Sequence, residues 1–227
     1  MIDLVGLLSL GLVCIITYAV AIRWPDISKI LFIAILIRIT LIFIDHFVVS
    51  LPDTSADAKS FEYMAWSIAQ NGFVNLLDYY PGFRYDFYNW FLAIPYSLFG
   101  RSVLMIKSIG LMFGIGSIFL SWKIAILIWD KSAAQKVAWA ITLFPSLVLY
   151  SVILMREVYI CFFVLVAAYG LIKWIKTNRL KYVLLTLVGF ACASFFNGAM
   201  IVGAAIFLTI VFLKNVKKAI ISIVNNK

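Results

Sequence analysis

The chain has 227 residues, of which 65% are hydrophobic and 13% charged, and its formal net charge is +9. Such an apolar composition excludes an ordinary soluble domain, and the long apolar runs indicate a polytopic membrane protein. The basic residues stand in short segments between these runs, where positive charge sets membrane orientation, so the charge does not indicate a nucleic-acid partner.

Seven apolar segments are long enough, or nearly so, to cross a bilayer, because a hydrocarbon core of about 30 Å needs roughly 20 helical residues. They cover residues 2–22, 29–50, 102–129, 136–154, 157–175, 181–196 and 198–214. The first lacks a basic leading region and a cleavage site, which favours a retained span over a signal peptide. We therefore predict an all-α polytopic helical bundle of about seven transmembrane helices, forming a single domain over residues 1–227.

The long polar interruption, residues 51–101, lies between the second and third of these segments. It carries half of the acidic residues of the chain, namely Asp53, Asp57, Glu62, Asp78 and Asp86. Apolar residues recur at helical spacing from Asp57 to Asn71, which predicts an amphipathic helix that Thr54 or Ser55 can cap. Residues 84–99 combine aromatic side chains with charged ones and a proline, which favours a helix at the membrane interface rather than another span.

The basic connections predict the orientation of the chain. Residues 130–136, residues 173–181 and the C-terminal tail are rich in lysine and arginine, and seven spans place all three on the side of Arg23 and Lys29. That side is expected to be the cytoplasm. The polar stretch 51–101, the Arg156–Glu157 corner and the Asn197–Gly198 break are then expected to face outward and to converge on one surface.

Two acids are candidates for chemistry on this surface. Asp57 falls in the first turn of the predicted amphipathic helix, where it either complements the helix dipole or serves as a base. Glu157 follows Arg156 at the junction of two apolar segments, where it either forms a local ion pair or takes part in a functional site.

Each of the other polar candidates has two possible roles. Arg84 stands among aromatic residues and suits either a substrate phosphate or lipid headgroups. Asp45 and His46, with Arg38 two turns earlier, suit either a substrate site or a polar cluster between helices.

A single histidine disfavours a histidine-based metal site, although carboxylates alone can hold Mg²⁺ or Mn²⁺. No cofactor is required by the sequence. The three cysteines indicate neither a disulfide nor a zinc site, and the glycines at 110 and 114 indicate close helix packing.

The order of several short motifs resembles a known family. The polar stretch contains Asp57-Ala58, Glu62-Tyr63 and Ala65-Trp66, followed by Gly72 and then by Pro81-x-x-Arg84-Tyr85. Further on come Leu98-Phe99-Gly100 and a Phe-Pro-Ser to Arg-Glu segment over residues 144–157. This order resembles the N-terminal membrane module of the GT-C superfamily. These polytopic glycosyltransferases use polyprenyl-phosphate sugars and include the protein mannosyltransferase and aminoarabinose transferase branches.

The resemblance implies roles for several residues. Asp57 corresponds to the catalytic aspartate of the first outward loop, Glu157 to a second acid in the next outward loop, and Arg84 to a cation near the lipid phosphate. Substrate contacts are expected from Arg84, Tyr85, Arg156, Asp53 and His46. Family members are usually longer than this chain, and they usually begin on the inner side.

The expected function is transfer of a sugar from a polyprenyl-phosphate donor to an acceptor at the non-cytoplasmic face, in a bacterial inner membrane. The expected partners are the lipid-linked sugar, membrane lipid and a further protein subunit that could complete the site. The alternative is a non-catalytic subunit that binds a polyprenyl lipid or glycan or assists a flippase. A small transporter is disfavoured, because the sequence shows no inverted repeat.

Overall fold

The structure is a computed structural model that describes residues 3–82 and 86–225, with the backbone alone for Ala56 and residues 214–225. Every regular element in those ranges is helical, which confirms the all-α prediction. A π-helix covers Thr54–Ala58. The α-helices are α1 Leu4–Arg23, α2 Pro25–Phe47, α3 Lys59–Ala69, α4 Phe73–Asp78, α5 Phe87–Phe99, α6 Val103–Ile128, α7 Lys131–Leu143, α8 Pro145–Tyr150, α9 Glu157–Thr177, α10 Leu180–Phe196 and α11 Met200–Asn225.

Within the described ranges, four helices are long and apolar enough to cross a membrane, namely α1, α2, α6 and α9. Two shorter apolar helices follow, α10 and the part of α11 from Met200 to Leu213. The chain therefore has the build of an integral membrane protein, and the count of seven spans stays a prediction.

Prolines set two helix boundaries. Pro25 is the first residue of α2, a position at which a backbone N–H would have no intrahelical acceptor, so proline loses no hydrogen bond there. The helix therefore starts four residues before the predicted Lys29. Pro145 has the opposite effect on the predicted span 136–154. Because a proline disfavours helical geometry in the residue before it, Phe144 is extended and the segment divides into α7 and α8.

Helix α6 forms the centre of the bundle and is the most deeply buried of the four long helices. It packs against α1, α2, α7 and α9, and the main core is formed largely by aliphatic side chains of α1, α2, α6 and α7. Gly114 allows the chain after α8 to approach α6 closely, since a Cβ at this position would lie 2.5 Å from the Cβ of Ser151.

The π-helix and helices α3 to α5 form a layer that we call the cap, at the end of the bundle where α6 begins. A second core joins the cap to the bundle and includes Phe61, Tyr88, Leu154, Val158 and Phe196. The ring of Phe87 lies 4.7 Å from that of Phe195 and 5.3 Å from that of Phe196, at the end of α10. The three connections predicted to converge do meet, because the cap packs on the start of α9 and the end of α10.

Candidate functional site

The charged side chains of the cap end surround a cavity of about 240 Å³, which we call the polar cavity. It lies between α2, the π-helix, α3 and α6. Its polar lining is Asp45, His46, Ser50, Thr54, Lys59, Glu62 and Lys107, and its apolar lining is Ala58, Val103 and Leu154. A concave site with several convergent polar groups is the usual form of a ligand site.

A buried ion pair forms one wall of the polar cavity. Lys107 Nζ on α6 donates to Asp45 Oδ2 on α2 over 2.5 Å, and Asp45 Oδ1 accepts the backbone N–H of Leu51 over 2.7 Å. Both oxygens of the Asp45 carboxylate therefore accept hydrogen bonds. The predicted pairing of Asp45 with Arg38 is wrong. The Arg38 guanidinium donates instead to the Ser151 hydroxyl and to the carbonyls of Ala34 and Thr142.

A second ion pair includes Glu62, which also lines the polar cavity. The Arg101 guanidinium donates to both carboxylate oxygens of Glu62, over 2.9 and 2.8 Å, and the hydroxyl of Tyr96 donates to Glu62 Oε1 over 3.2 Å. Burial and the neighbouring Glu62 carboxylate raise the pKa of Tyr96, and the hydrogen bond to Glu62 raises the pKa of Arg101. The three side chains hold α3 against α5 and against the start of α6.

The polar cavity adjoins a wider groove of about 500 Å³, and His46 and Val103 line both. The groove is also lined by Asp3, Phe99, Arg101 and Ser102, and the hydroxyl of Ser102 donates to Asp3 Oδ2 over 2.7 Å. His46 therefore lies at the junction of the two spaces, and its contact with a substrate stays a prediction.

The segment that carries Asp53 and Asp57 has an unusual backbone. Asp53 is in the left-handed region with φ 65°, and the π-helix follows directly. Single π turns and left-handed non-glycine residues are found frequently at functional sites. Thr54 and Ala58 line the polar cavity. Asp57 precedes Ala58, is exposed, and makes no hydrogen bond or ion pair with any described residue. The predicted cap of α3 by Thr54 or Ser55 is wrong, because both residues belong to the π-helix and the N-cap is Ala58.

Glu157 begins α9, with its Oε1 3.7 Å from the Nε of Arg156. It lines a small cavity with Arg38, and none of the cavities described here is lined by both Glu157 and Asp57. The residues that follow the two acids, Ala58 and Val158, both belong to the second core. The direct pairing of Asp57 with Glu157 in one site stays a prediction.

Arg84, predicted to lie near the lipid phosphate, and Tyr85, predicted to contact substrate, lie outside the described residues. Among the residues that the structure does describe, no group of three histidine, cysteine, aspartate or glutamate side chains is placed to hold a metal ion. Sequence reasoning missed Lys107, Glu62 and Arg101 as site residues. Lys107 carried a usable signal, because a charge inside an apolar helix is itself a pointer to function.

An apolar cleft of about 380 Å³ lies between α1, α6 and α9 at the level of their membrane-spanning segments. Phe113, Phe119 and Phe162 contribute aromatic walls. The one polar side chain in its lining, Thr17, donates its hydroxyl to the Val13 carbonyl. The cleft therefore suits an alkyl chain rather than a polar ligand.

The chain thus combines a polar, charged cavity at one end of a bundle with an apolar cleft at membrane depth. Comparisons of the chain with models of protein families, with curated proteins and with solved structures gave no match.

Proposed function

We propose that the protein is a membrane glycosyltransferase that moves a sugar from a polyprenyl-phosphate donor to an acceptor at the non-cytoplasmic face, in a bacterial inner membrane. The observation that carries the proposal is the position of the segment Asp53–Ala58. It contains a left-handed aspartate and a π-helix, and it contributes Thr54 and Ala58 to the lining of the polar cavity. The motif order of the GT-C superfamily gives independent support, because it identifies Asp57 of this same segment.

In this proposal Asp57 acts as the general base. Its exposed carboxylate has no partner among the described residues and is free to accept the proton of an acceptor hydroxyl. The anomeric carbon exchanges its bond to the phosphate oxygen for a bond to the acceptor oxygen, and the bonding electrons leave with the lipid phosphate. The cations Lys59 and Arg101, which line the polar cavity and the groove, are suited to balance the charge of that phosphate.

The resemblance also implies a role for Glu157 in supporting the site. Because Glu157 lines a different cavity from the one beside Asp57, the proposal assigns it no contact with the reacting atoms. The apolar cleft between α1, α6 and α9 is suited to the isoprenoid tail of the donor, since both are almost wholly apolar.

The test is a transfer assay with the full chain in proteoliposomes. A radiolabelled undecaprenyl-phosphate sugar is supplied together with a membrane extract as the source of acceptor, and the release of free undecaprenyl phosphate is measured. Asp57→Asn should reduce the rate by at least roughly 100-fold, the effect typical of losing a general base. The matched control is Asp78→Asn, at the end of α4, which is also an exposed acid of the cap.

The alternative, a non-catalytic binder of polyprenyl lipids, is favoured by one observation, the position of Glu157 in a small cavity beside Arg38 rather than in the polar cavity. It predicts that the wild-type protein retains undecaprenyl phosphate in native mass spectrometry but transfers no sugar. It also predicts that retention survives in the double variant Asp57→Asn/Glu157→Gln. A wild-type rate matched by Asp57→Asn would remove Asp57 from the mechanism.

A further inference from the structure

We infer that Arg38 and Glu157 form an ion pair bridged by a buried water molecule, which joins α2 to the start of α9. The inference concerns the interior of the bundle and does not rest on the proposed function.

Arg38 is a buried cation whose hydrogen-bond acceptors among the described residues are all neutral. Its side chain lies inside the bundle, and the residue is 1% exposed. Its Nε donates to Ser151 Oγ over 2.9 Å, and its Nη1 donates to the carbonyls of Ala34 and Thr142, each over 3.3 Å. A charge taken out of water without a counter-ion is strongly destabilising, so a nearby carboxylate is expected.

The two buried acids at the cap end, Asp45 and Glu62, are already engaged. Asp45 is paired with Lys107 and with a backbone N–H, and Glu62 is paired with Arg101. Glu157 differs from both. Its side chain is 41% exposed overall, but its Oε2 is buried and makes no hydrogen bond with any described residue.

Arg38 and Glu157 line the same cavity, which has a volume of about 30 Å³. Gly114, Ser117 and Tyr150 also line it. A water molecule needs about 10–15 Å³ of such space and two to four polar partners. The guanidinium, the buried carboxylate oxygen and the hydroxyl of Ser117 supply enough partners. A halide ion would face the carboxylate, so water is the occupant that the charges favour.

This bridge would connect three separate parts of the chain. Arg38 already holds the Thr142 carbonyl near the end of α7 and the Ser151 hydroxyl after α8. Through the water it also holds the first residue of α9. The broken segment between α7 and α9 would then be fixed to α2 at both of its ends.

The test is a double-mutant cycle on the purified full chain in detergent, with Arg38→Gln, Glu157→Gln and the two combined. Each single change leaves one charge without its partner and should lower Tm by roughly 5 °C or more. The double variant should lose no more than the larger single loss. The matched control is Arg156→Gln, which removes the exposed-side partner of Glu157 Oε1 but leaves the cavity lining intact.

An unchanged Tm for Glu157→Gln, or strictly additive losses, would overturn the inference. If neither Arg38→Gln nor the double variant can be purified, the Tm of Glu157→Gln alone decides. A fall of the stated size supports the inference, and an unchanged Tm overturns it. Replacing chloride with gluconate should leave Tm unchanged, and a fall on removing chloride would assign the cavity to a halide instead of water. A crystal or cryo-EM structure should show one water within hydrogen-bond distance of both Arg38 and Glu157 Oε2, and a direct ion pair there would also overturn the bridge.

Discussion

Lys107 Nζ lies 2.5 Å from Asp45 Oδ2, in an ion pair whose side chains are only 4% and 0% exposed. Removing one partner leaves the other charge buried, so Lys107→Met should lower the free energy of unfolding by about 3–5 kcal/mol. Adding Asp45→Asn should recover most of this loss, because the amide oxygen can still accept the N–H of Leu51. Denaturant unfolding followed by tryptophan fluorescence measures both.

The exposed pair of Lys131 and Asp26 is the control for this prediction. Its atoms are 2.9 Å apart, but its side chains are 74% and 47% exposed. Lys131→Met should therefore cost at most about 1 kcal/mol, since water screens the pair. Equal losses for Lys107→Met and Lys131→Met would contradict the assignment of Lys107 to a buried site.

The two glycines of α6 should respond differently to alanine. A Cβ at Gly114 would lie 2.5 Å from the Cβ of Ser151, whereas the nearest atom to a Cβ at Gly110 would be 3.7 Å away. Gly114→Ala should therefore destabilise the protein by about 1–3 kcal/mol, and Gly110→Ala should have little effect or stabilise it. Thermal unfolding of the two variants side by side checks the packing of the chain after α8 on α6. The reverse order of stability would be incompatible with that packing.

The hydroxyl of Tyr96 should make the protein sensitive to alkali. Burial and the Glu62 carboxylate raise the pKa of Tyr96, so the folded state resists an ionisation that the unfolded chain undergoes near pH 10. This contribution to stability is complete below about pH 10 and is lost as the pH rises further. Tyr96→Phe should cost about 1 kcal/mol at pH 8, through loss of the bond to Glu62, but its Tm should fall less steeply up to pH 11.

Tyr63→Phe serves as the control for the alkaline measurement, because Tyr63 is exposed on the neighbouring helix α3. Its Tm curve should follow that of the wild type. Parallel curves for Tyr96→Phe and the wild type would show that the Tyr96 hydroxyl does not govern alkaline unfolding.

Labelling of engineered cysteines tests the orientation of the chain. Asp57 belongs to the cap at the start of α6, and Asp130 follows the other end of this helix, which is about 39 Å long. In a background where Cys14, Cys161 and Cys192 are replaced by serine, Asp57→Cys should react with an impermeant maleimide added to intact cells. Asp130→Cys should react only after permeabilisation, and the opposite result would invert the proposed active face.

The long helices could be predicted from the sequence, because apolar composition and length are local properties. The runs that predicted spans at 2–22, 102–129 and 157–175 became α1, α6 and α9. The periodicity beginning at Asp57 likewise predicted the helical start of the cap, although the first turn is a π-helix rather than a capped α-helix. Pro145, however, divides the predicted span 136–154 completely, into α7 and α8.

The pairing of charges could not be predicted in the same way. Asp45 and Arg38 lie two turns apart on one helix, which made them plausible partners by spacing alone. The structure instead pairs Asp45 with Lys107, 62 residues away, because the packing of α2 against α6 brings the two together. Tertiary packing selects such partners, and a single sequence carries no direct record of it. The roles of Asp57, Glu157 and Arg84 came from motif resemblance and await the transfer assay.

The division of the segment after α7 has a consequence for how the protein is made. The Thr142 carbonyl, near the end of α7, is bonded by Arg38, which leaves the ribosome 104 residues earlier. If α7 enters the bilayer as part of the predicted span 136–154, a nascent α7 released alone into lipid would expose this carbonyl to hydrocarbon, at a cost of several kcal/mol. We expect the translocon to hold α7 until it docks on an α2 already inserted, so crosslinking of stalled nascent chains should find α7 beside the translocon in Arg38→Leu and beside α2 in the wild type. An early helix would thus serve as an internal chaperone for a later one.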